Sequence, residues 1–355
     1  FMKNWADPRY PCPRLEDRHD AMRVAARLGI PFQTWDFTQE YRQAVVGHMI
    51  REYAAGRTPN PDVMCNREIK FGLFLRRAVA AGADFVATGH YVRLRPSDAT
   101  MRMHANDSNH SRGYSHHSSR FALHRAKDKN KDQSYFLWTL TQEQLRRCLF
   151  PIGEYAKPEV RTMAKAMGLP TADKPDSQGI CFIGEIDVRA FLRDHIPARR
   201  GMVLTTAGRM VGAHPGIQFF TIGQRKGLAI GGGRPYYVAA KDPATNTLIV
   251  AEEPHDPALY RSRLIATDAS WIAGETPAFP AACQARIRYR QPLQSCRVTQ
   301  IDAANTQITT DDRRRSTLPS APLRVLFEEP QRAVAAGQSI VFHRGAEILG
   351  GAVIA

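Results

Sequence analysis

The spacing of apolar residues predicts alternating helices and strands in the first ninety residues. Apolar residues recur at helical spacing over 13–30, and Gly29 marks the end of that helix. A strand over 30–35 follows, then helices over 39–53 and 66–81 and a buried strand over 84–88. This alternation is typical of a parallel α/β sheet, which binds ligands beyond the carboxyl ends of its strands. Gly89 and His90 lie at such a place.

Beyond residue 90 the pattern changes towards short strands. A hairpin is predicted over 91–95 and 120–125, and its connecting tract contains His104, His110, His116 and His117. Their irregular spacing favours a mobile surface loop over a metal site. A helix over 158–168 and a loop over 169–184 come next. The strands predicted after them lie at 202–204, 218–221, 236–240, 247–251, 284–290, 296–301, 339–343 and 352–354. The last of these, from about residue 262 onward, predict a small closed β domain.

Composition and charge narrow the class of protein. A chain of 355 residues predicts two or three domains. Its 49 basic and 34 acidic residues give a net charge of +15, which is typical of proteins with a nucleic-acid partner, although a merely basic protein is equally compatible. No apolar run is long enough for a membrane span, and no secretory signal is present, so we expect a cytoplasmic protein without a membrane partner. Six scattered cysteines without a C-x-x-C pair argue against structural zinc and a disulfide framework.

The first candidate chemical motif spans 56–66. Asp62 precedes Cys65 by three residues, so both side chains would share one face of a helix. Cys65 would lie at the helix N-terminus, where the helix dipole favours a thiolate, and the nearby carboxylate would act as a general acid or base. The alternative is an Asx turn with a buried structural cysteine, and spacing alone favours that alternative.

The second candidate motif spans 174–184 and contains Cys181 between glycines. A cysteine in a glycine-hinged loop can move between two positions, as a sulfur carrier must. A structural cysteine packed beside Ile180 and Phe182 is the alternative.

Three further segments suit RNA contact. Lys131 can bind a phosphate, while Asp132 and Gln133 can hydrogen-bond a base or sugar; a helix cap is the alternative. The segment 221–228 suits a clamp on the phosphate backbone, or is a basic hairpin turn. The segment 286–290, predicted on a strand, suits stacking and phosphate contact, or is a strand edge protected by charge.

The order of these motifs along one chain is far more specific than any of them alone. The chain contains, in this order, N-P-D-x-x-C-N, A-T-G-H-Y, N-K-D-Q-S-Y-F-L, D-S-Q-G-I-C-F-I-G, G-Q-R-K-G-L and R-Y-R-Q. This series resembles the tRNA-specific 2-thiouridylases over essentially the whole chain. The resemblance lapses only at about 97–120 and 310–322.

The resemblance implies a fold and an activity. It implies a Rossmann-like, adenine-nucleotide-binding α/β domain over 1–184, a small central tRNA-binding domain over 185–255, and a C-terminal β-barrel over 256–355. The implied reaction replaces the 2-oxygen of the wobble uridine of tRNA by sulfur. ATP with Mg²⁺ would adenylate that oxygen, and the base must leave its stack to be reached.

The resemblance also implies roles for the two cysteines and for the nucleotide site. Cys181 would carry sulfur as a persulfide received from a donor protein, either a cysteine desulfurase or a sulfur relay protein. Cys65 would be the partner nucleophile, which either releases hydrosulfide or forms a disulfide with Cys181. Asp62 would be the acid/base group. Met2 and Gly89 would contact the nucleotide, and no residue is expected to bind a metal directly.

Contacts with the tRNA substrate are implied for a larger set. The target base would be contacted by Asn60, Pro61 and Asp62, and the remaining tRNA by His90, Lys131, Asp132, Gln133, Arg288, Tyr289 and Gln338.

The chain departs from the family pattern in one respect. The family begins with a strand and the loop S-G-G-V-D-S-S, which binds the phosphates of ATP, and neither occurs in this sequence. We therefore expect an N-terminally truncated or mis-started product that lacks its first strand and adenylates poorly. Two rival interpretations are another ATP-pyrophosphatase-type ligase, which needs no paired cysteines, and a tRNA-binding protein without ATP chemistry.

Overall fold

Short parallel strands open the chain. The computed structural model describes residues 1–7, 9, 14–97, 120–176, 187–228, 230–231, 233–302 and 321–355. Strand β1 (Met2–Lys3) pairs in parallel with β2 (Trp35–Asp36), and β3 (Val86–Ala87) pairs in parallel with β6 (Cys148–Leu149). These pairs and the helices around them confirm the predicted α/β class. The strand predicted over 30–35 is wrong except at its last residue, because the backbone of 30–34 pairs with no strand among the described residues.

Helices pack around these strands. They are α1 (Arg14–Leu28), α2 (Thr38–Tyr41), α3 (Gly47–Ala54), α4 (Pro61–Met64), α5 (Leu75–Ala80), α6 (Gln142–Leu145), α7 (Lys157–Ala166) and α8 (Val188–Arg193). A π-helical turn, Arg42–Val46, continues α2 into α3, and a longer one, Cys65–Phe74, continues α4 into α5. The predicted helix over 66–81 therefore begins earlier, at Pro61. Within the described ranges, none of the helices has the length and apolarity that crossing a bilayer requires.

A four-stranded sheet forms the middle of the chain. Its strands are β7 (Gly201–Thr205), β8 (Met210–His214), β9 (Tyr237–Asp242) and β10 (Thr247–Ala251), in the order β8-β7-β10-β9. Only β7 and β10 are parallel. The strand predicted over 218–221 is wrong, because Ile217–Phe219 form a 3-10 turn. Ile217 to Phe220 are consecutive buried residues, which a turn can bury and a half-exposed strand cannot.

A closed barrel forms the last part of the chain. Its strands are β11 (Tyr260–Trp271), β12 (Ala281–Arg286), β13 (Gln294–Gln300), β14 (Leu323–Arg332), β15 (Ser339–Arg344) and β16 (Glu347–Ile354). The order is β11-β14-β13-β12-β15-β16, and pairing of β11 with β16 closes the ring, which confirms the predicted β domain. On β14, Leu323, Val325 and Phe327 are buried while Arg324 and Leu326 face outward. Closure leaves these six strands without a free edge.

The strand predicted over 284–290 ends at Arg286, the last residue of β12 that pairs with β15. The chain then turns, with the backbone N–H of Gln291 donating to the carbonyl of Arg288 at 3.2 Å. Arg288 and Tyr289 therefore lie in a loop between β12 and β13, and not on a strand.

A hairpin from the first part of the chain joins the barrel. Strands β4 (Val92–Pro96) and β5 (Phe121–Arg125) pair as predicted, and β5 also pairs with β16. Glu347 lies opposite His124, and Ile348 lies opposite Leu123. The backbone hydrogen bonds of one sheet thus connect the α/β part to the barrel wall.

Side-chain packing connects the same parts. One buried cluster joins helices of the α/β part to the middle sheet, and it contains Tyr41, Cys65 and Phe220. A second cluster joins the hairpin region to the barrel and contains Trp138 and Ile348. The three parts therefore share cores and do not pack as separate units.

A buried ion pair also lies between the α/β part and the barrel. Asp132 and Arg286 have side chains that are 1% and 3% exposed, and Arg286 Nη2 donates to Asp132 Oδ2 at 3.0 Å. The second carboxylate oxygen accepts the backbone N–H groups of Ala126 and Ser134, each at 3.2 Å. Burial alone would raise the pKa of Asp132, but Arg286 and these hydrogen bonds lower it overall. Protein groups thus surround the carboxylate of Asp132, and its contact with tRNA stays a prediction.

His343 completes this buried cluster. It is fully buried, and Arg286 Nε lies 3.4 Å from its Nε2. Burial, reinforced by Arg286, lowers the pKa of His343 to about 3. The folded protein therefore keeps this imidazole neutral at pH values where the unfolded chain, with a pKa of about 6.5, binds a proton.

We predict a specific pH dependence of stability from His343. As the pH falls from about 6.5 towards 3, the unfolded state takes up a proton that the folded state does not, so the free energy of unfolding decreases by up to about 1.4 kcal/mol per pH unit from this residue. His343→Gln keeps a hydrogen-bond acceptor for Arg286 and cannot titrate. Urea unfolding at several pH values between 7 and 4 should show a smaller loss of stability in the variant. Equal losses in the two proteins would contradict the assignment.

Candidate functional site at the junction of three parts

The helix that carries the first cysteine motif has a well-defined start. The side-chain oxygen of Asn60 accepts the backbone N–H groups of Asp62, at 3.2 Å, and Val63, at 3.3 Å. Pro61 occupies the first helical position, where its missing N–H costs nothing. Asn60 and Pro61 therefore fix where the helix begins, and this capping role follows from the residue types alone.

Cys65 lies one turn inside this helix, and not at its N-terminus as predicted. It is fully buried and begins the ten-residue π-helical segment. Asp62 is half-buried in the first turn, and the separation of three residues places both on one side of the helix. π-Helical segments are rare in proteins, and those that occur often lie at functional sites. Burial of Cys148 on β6 raises the pKa of that thiol to about 12.

The barrel holds the segment that precedes this helix. The backbone N–H of Thr58 donates to the carbonyl of Ala336 at 2.8 Å. The side-chain amide of Gln338 donates to the carbonyl of Thr58 at 2.8 Å and lies 3.5 Å from that of Pro59. Gln338, predicted as a tRNA contact, thus lies at the site, where its amide holds the backbone that leads to Asn60.

The middle part of the chain meets the same segment. The hydroxyls of Thr58 and Thr221 are 3.2 Å apart, and Arg288 Nη2 donates to the carbonyls of Ile222, at 2.8 Å, and Ala333, at 2.9 Å. Four segments from three parts of the chain therefore converge. We call residues 57–66, 221–224, 287–291 and 333–339 together the junction.

Aromatic side chains line one side of the junction. The ring of Tyr289 lies 4.6 Å from that of Phe136, and the guanidinium of Arg290 lies 5.2 Å from the centre of the Tyr289 ring. The hydroxyl of the buried Tyr135 donates to the carbonyl of Ser339 at 2.8 Å. Tyr289 is half-buried, so part of its surface remains open beside a cation. Tyr135 borders the junction and Thr58 lies in it; sequence reasoning gave neither a role of its own, because nothing in the local pattern relates them to the barrel.

His90 and Gln133 are used largely within the protein. Nδ1 of His90 lies 2.9 Å from the hydroxyl of Thr88, and burial, reinforced by Lys70, lowers the pKa of His90 to about 3. The side-chain oxygen of Gln133 accepts the backbone N–H of Tyr91 at 3.0 Å. His90 is therefore neutral at physiological pH and adds no positive charge for a phosphate.

The predicted nucleotide residues lie at the strands of the α/β part. Met2 is half-buried on β1 and packs against the cluster that contains Cys65, while Gly89 is exposed after β3. Sequence reasoning missed Asn4, which follows β1 and is 1% exposed. Both polar atoms of its amide lack a hydrogen-bond partner among the described residues. A buried amide without partners is costly, and an amide can pair with the edge of an adenine, so the residues present fit an adenine nucleotide in kind.

The loop that contains Cys181 lies at 177–186, outside the described residues. The described residues just before this loop are held by ion pairs. Asp176 accepts hydrogen bonds from Lys131, at 2.6 Å, and pairs with Lys157 at 2.9 Å, and these contacts lower its pKa to about 2. Lys174 pairs with two carboxylates of α1. Lys131, predicted to bind an RNA phosphate, is thus ion-paired to the start of this loop.

The histidine-rich tract with His104, His110, His116 and His117 also lies outside the described residues. Elsewhere, in the part of the chain that the structure describes, no group of three or more potential metal ligands is found.

A cavity of about 900 Å³ borders the junction. It is enclosed by residues of the α/β part, the middle sheet and the barrel, and we call it the basic groove. Its cationic lining residues are Arg57, Lys241, Arg261, Arg263 and Arg324, and its described lining contains no Asp or Glu. Lys241 Nζ donates to the carbonyl of Gly56 at 2.9 Å, and burial lowers the pKa of Lys241 to about 8. Arg57 is ion-paired with Glu52 at 2.6 Å, so Arg261, Arg263 and Arg324 supply most of the positive charge that suits the groove to an anionic ligand.

Comparison with known proteins assigns the chain to a family. Family models match along its length with the descriptions tRNA methyl transferase HUP domain over 1–185, tRNA methyl transferase PRC-barrel domain over 189–252, and aminomethyltransferase beta-barrel domain over 261–319 and 316–354. The tRNA-specific 2-thiouridylase MnmA of Xanthomonas campestris pv. campestris (strain B100) is 45% identical over 361 residues, which is 100% of this chain and 86% of that protein. The chain belongs to the tRNA-specific 2-thiouridylase family.

Two further relatives in this thiouridylase family show the same extent of similarity. The MnmA of Marinobacter nauticus is 44% identical over 361 residues, covering 100% of this chain and 83% of that protein. The MnmA of Xanthomonas axonopodis pv. citri is 45% identical over 361 residues, covering 100% of this chain and 86% of that protein. The order of the matched domain models agrees with the order of α/β part, middle sheet and barrel, and confirms the predicted family and fold class.

The junction makes a testable prediction at Gly337. Its φ is +87°, and a Cβ there would lie 3.0 Å from the backbone N and C of Thr58. Gly345 also has positive φ, at +58°, but open space around it, so Gly345→Ala is a matched control that costs only about 1–2 kcal/mol of backbone strain. Gly337→Ala should reduce stability further and displace Thr58. Hydrogen exchange of the amides of Arg57, Thr58 and Asn60 should accelerate in Gly337→Ala alone, and equal exchange in both variants would contradict the clamp.

Proposed function

We propose that this protein replaces the 2-oxygen of the wobble uridine of tRNA by sulfur. The observation that carries the proposal is the junction, where a buried thiol and a carboxylate share one helix that all three parts of the chain hold in place. Membership of the thiouridylase family supports the same reaction.

In the proposed reaction, Cys65 acts with Cys181. The Cys65 thiolate attacks the inner sulfur of a persulfide on Cys181, which forms a Cys65–Cys181 disulfide and releases hydrosulfide. Hydrosulfide then attacks carbon 2 of the uracil, and the carbon–oxygen bond breaks, the 2-oxygen leaving with the AMP that ATP would have attached to it. A dithiol reductant returns both cysteines to thiols. Asp62, half-buried one turn before Cys65, takes up or delivers the proton in this exchange.

ATP, accompanied by Mg²⁺, supplies the leaving group that a pyrimidine oxygen lacks. We propose that Met2, Asn4 and Gly89 hold its adenosine part, because Asn4 and Gly89 follow the carboxyl ends of β1 and β3, where nucleotides bind in such sheets, and Met2 lies on β1. The buried amide of Asn4, which lacks a hydrogen-bond partner among the described residues, supports this role.

Binding of tRNA is proposed for the surface around the junction. Tyr289, with Arg290 beside it, offers a stacking face for a base released from its neighbours, and the net charge of +15 favours a polyanion. We further propose that the basic groove contacts the phosphate backbone of the same tRNA. The proposal includes the domain limits 1–184, 185–255 and 256–355. It also includes a persulfide donor protein as partner and action in the cytoplasm.

The decisive experiment is analysis of modified nucleosides. A strain that lacks the gene should lose 2-thiouridine from its tRNA, and the parent gene should restore it. Cys65→Ser should restore none, because a hydroxyl cannot form the disulfide. Asp62→Asn should reduce the rate about 10²–10⁴-fold, the range for a lost acid/base group.

The control for this experiment is Cys148→Ala, which removes a buried thiol outside the junction and should restore 2-thiouridine fully. Mass spectrometry distinguishes thiolation from the methylation that the descriptions of the domain models name. Full thiolation by Cys65→Ser, or loss of a methylated nucleoside instead, would refute the proposal.

The basic groove gives a separate prediction. Arg263→Glu reverses a charge in the groove, while Arg297→Glu reverses an exposed charge on the barrel that does not line it. Arg263→Glu should weaken tRNA binding and reduce the slope of log K against log salt by about 1, as expected for one lost phosphate contact. Filter binding across a salt series measures both quantities. Equal effects of the two substitutions would exclude the groove as an RNA-binding surface.

A further inference from the structure

Two cysteines that the proposed reaction does not use face each other on the barrel. Strands β12 and β13 are antiparallel, and their register places Cys283 directly opposite Cys296. The two sulfur atoms are 3.7 Å apart. Cys296 is 5% exposed and belongs to the barrel core, whereas Cys283 is half-buried and packs against that core.

This arrangement needs little change to form a disulfide. Directly opposite residues of an antiparallel pair have Cα atoms about 4.5 or 5.5 Å apart, and disulfides span Cα distances of about 4.4–6.8 Å, so the backbone is already in range. Only the sulfur atoms must approach, from 3.7 Å to the bond length of about 2.05 Å, by rotation of the side chains.

The surroundings distinguish the two thiols in reactivity. A hydrogen bond from the Cys296 thiol and the positive charge of Arg344 lower the pKa of Cys283, although burial opposes them. The same contact and burial raise the pKa of Cys296. The more exposed thiol is therefore also the one that more readily becomes a thiolate, which is the attacking species in thiol–disulfide exchange.

The location of the pair connects it to the junction. The hairpin β12–β13 carries Arg288 and Tyr289 in its loop, and Arg286, which pairs with Asp132, ends β12 three residues after Cys283. A covalent bond between Cys283 and Cys296 would close a loop that contains all of these residues. The redox state of the pair thus acts on the segment that holds the junction together.

We propose that Cys283 and Cys296 are a redox-active dithiol that closes to a reversible disulfide and staples the hairpin β12–β13. The oxidant is a low-molecular-weight disulfide, RSSR. The Cys283 thiolate attacks one sulfur of RSSR, which forms a mixed disulfide and expels one thiolate that leaves as RSH. Cys296 then attacks the Cys283 sulfur, loses its proton and expels the second RSH. Two protein thiols are oxidised, and RSSR is reduced to two RSH.

This chemistry does not depend on the proposed function, and peptide mapping tests it directly. The full-length protein is incubated with glutathione disulfide, denatured, alkylated and digested with trypsin, which cleaves after Arg286, Arg288 and Arg290 between the two cysteines. Mass spectrometry should find the peptides of Cys283 and Cys296 joined, and dithiothreitol should separate them. Alkylation of both cysteines under these conditions, or glutathione held on Cys283 alone, would overturn the proposal.

A second measurement tests the staple itself. Formation of the bond should raise the Tm of the protein by at least about 4 °C, as a closed loop restrains the unfolded chain. It should also slow hydrogen exchange in 287–293. Cys283→Ala should form no cross-link and show neither change, with Cys148→Ala as the matched control that keeps both. An unchanged Tm and unchanged exchange in the cross-linked protein would show that the bond does not restrain the hairpin.

Discussion

The structure depends on how the segment 57–60 is held before the helix of Cys65. This segment lies between two parts of the chain that are far from it in sequence. The barrel binds its backbone through Ala336 and Gln338, and the middle part contacts it through Thr221. Since Asn60 caps the helix that follows, any displacement of Thr58 moves the start of that helix and with it Asp62. The position of the thiol motif is thus set by the agreement of three parts, and not by local preference alone.

The buried pair of Asp132 and Arg286 imposes a second constraint. A charge without its partner at this depth is strongly unfavourable, so the α/β part and the barrel must meet in one arrangement. The same β12–β13 hairpin then leads to Arg288, which binds backbone carbonyls of the middle part and of the barrel. One hairpin therefore carries the ion pair of Arg286 with Asp132 at the end of β12. In its loop it carries Arg288, which connects the middle part to the barrel. A covalent staple at Cys283 and Cys296 would restrain both at once.

Several site residues identified from sequence turn out to act on the protein itself. Gln338 supports the backbone of 58–59, Lys131 pairs with Asp176, and Asp132 is enclosed by its own ion pairs and hydrogen bonds. Motif reasoning located these residues near the site, because they occur in ordered short runs typical of the family. It could not separate a residue that contacts RNA from one that supports the residues beside it, since both belong to the same run. Burial and hydrogen-bond partners make that distinction. The role of Cys181 stays a prediction.

The sequence by itself determined the family, the α/β and barrel classes, and most helix and strand positions, because apolar periodicity and turn residues act over short distances. The helix start at Asn60 and Pro61 is also encoded locally, since capping is local, although periodicity predicted the helix only from residue 66. It extended the strand over 284–290 too far, because long-range pairing decides where that strand ends. It also placed Cys65 at the helix N-terminus, whereas the helix begins earlier. The junction, the ion pair of Asp132 with Arg286 and the pairing of Cys283 with Cys296 were decided only by the tertiary structure. Their partners are tens to hundreds of residues apart or depend on strand register, which closure of the barrel fixes and no local pattern encodes.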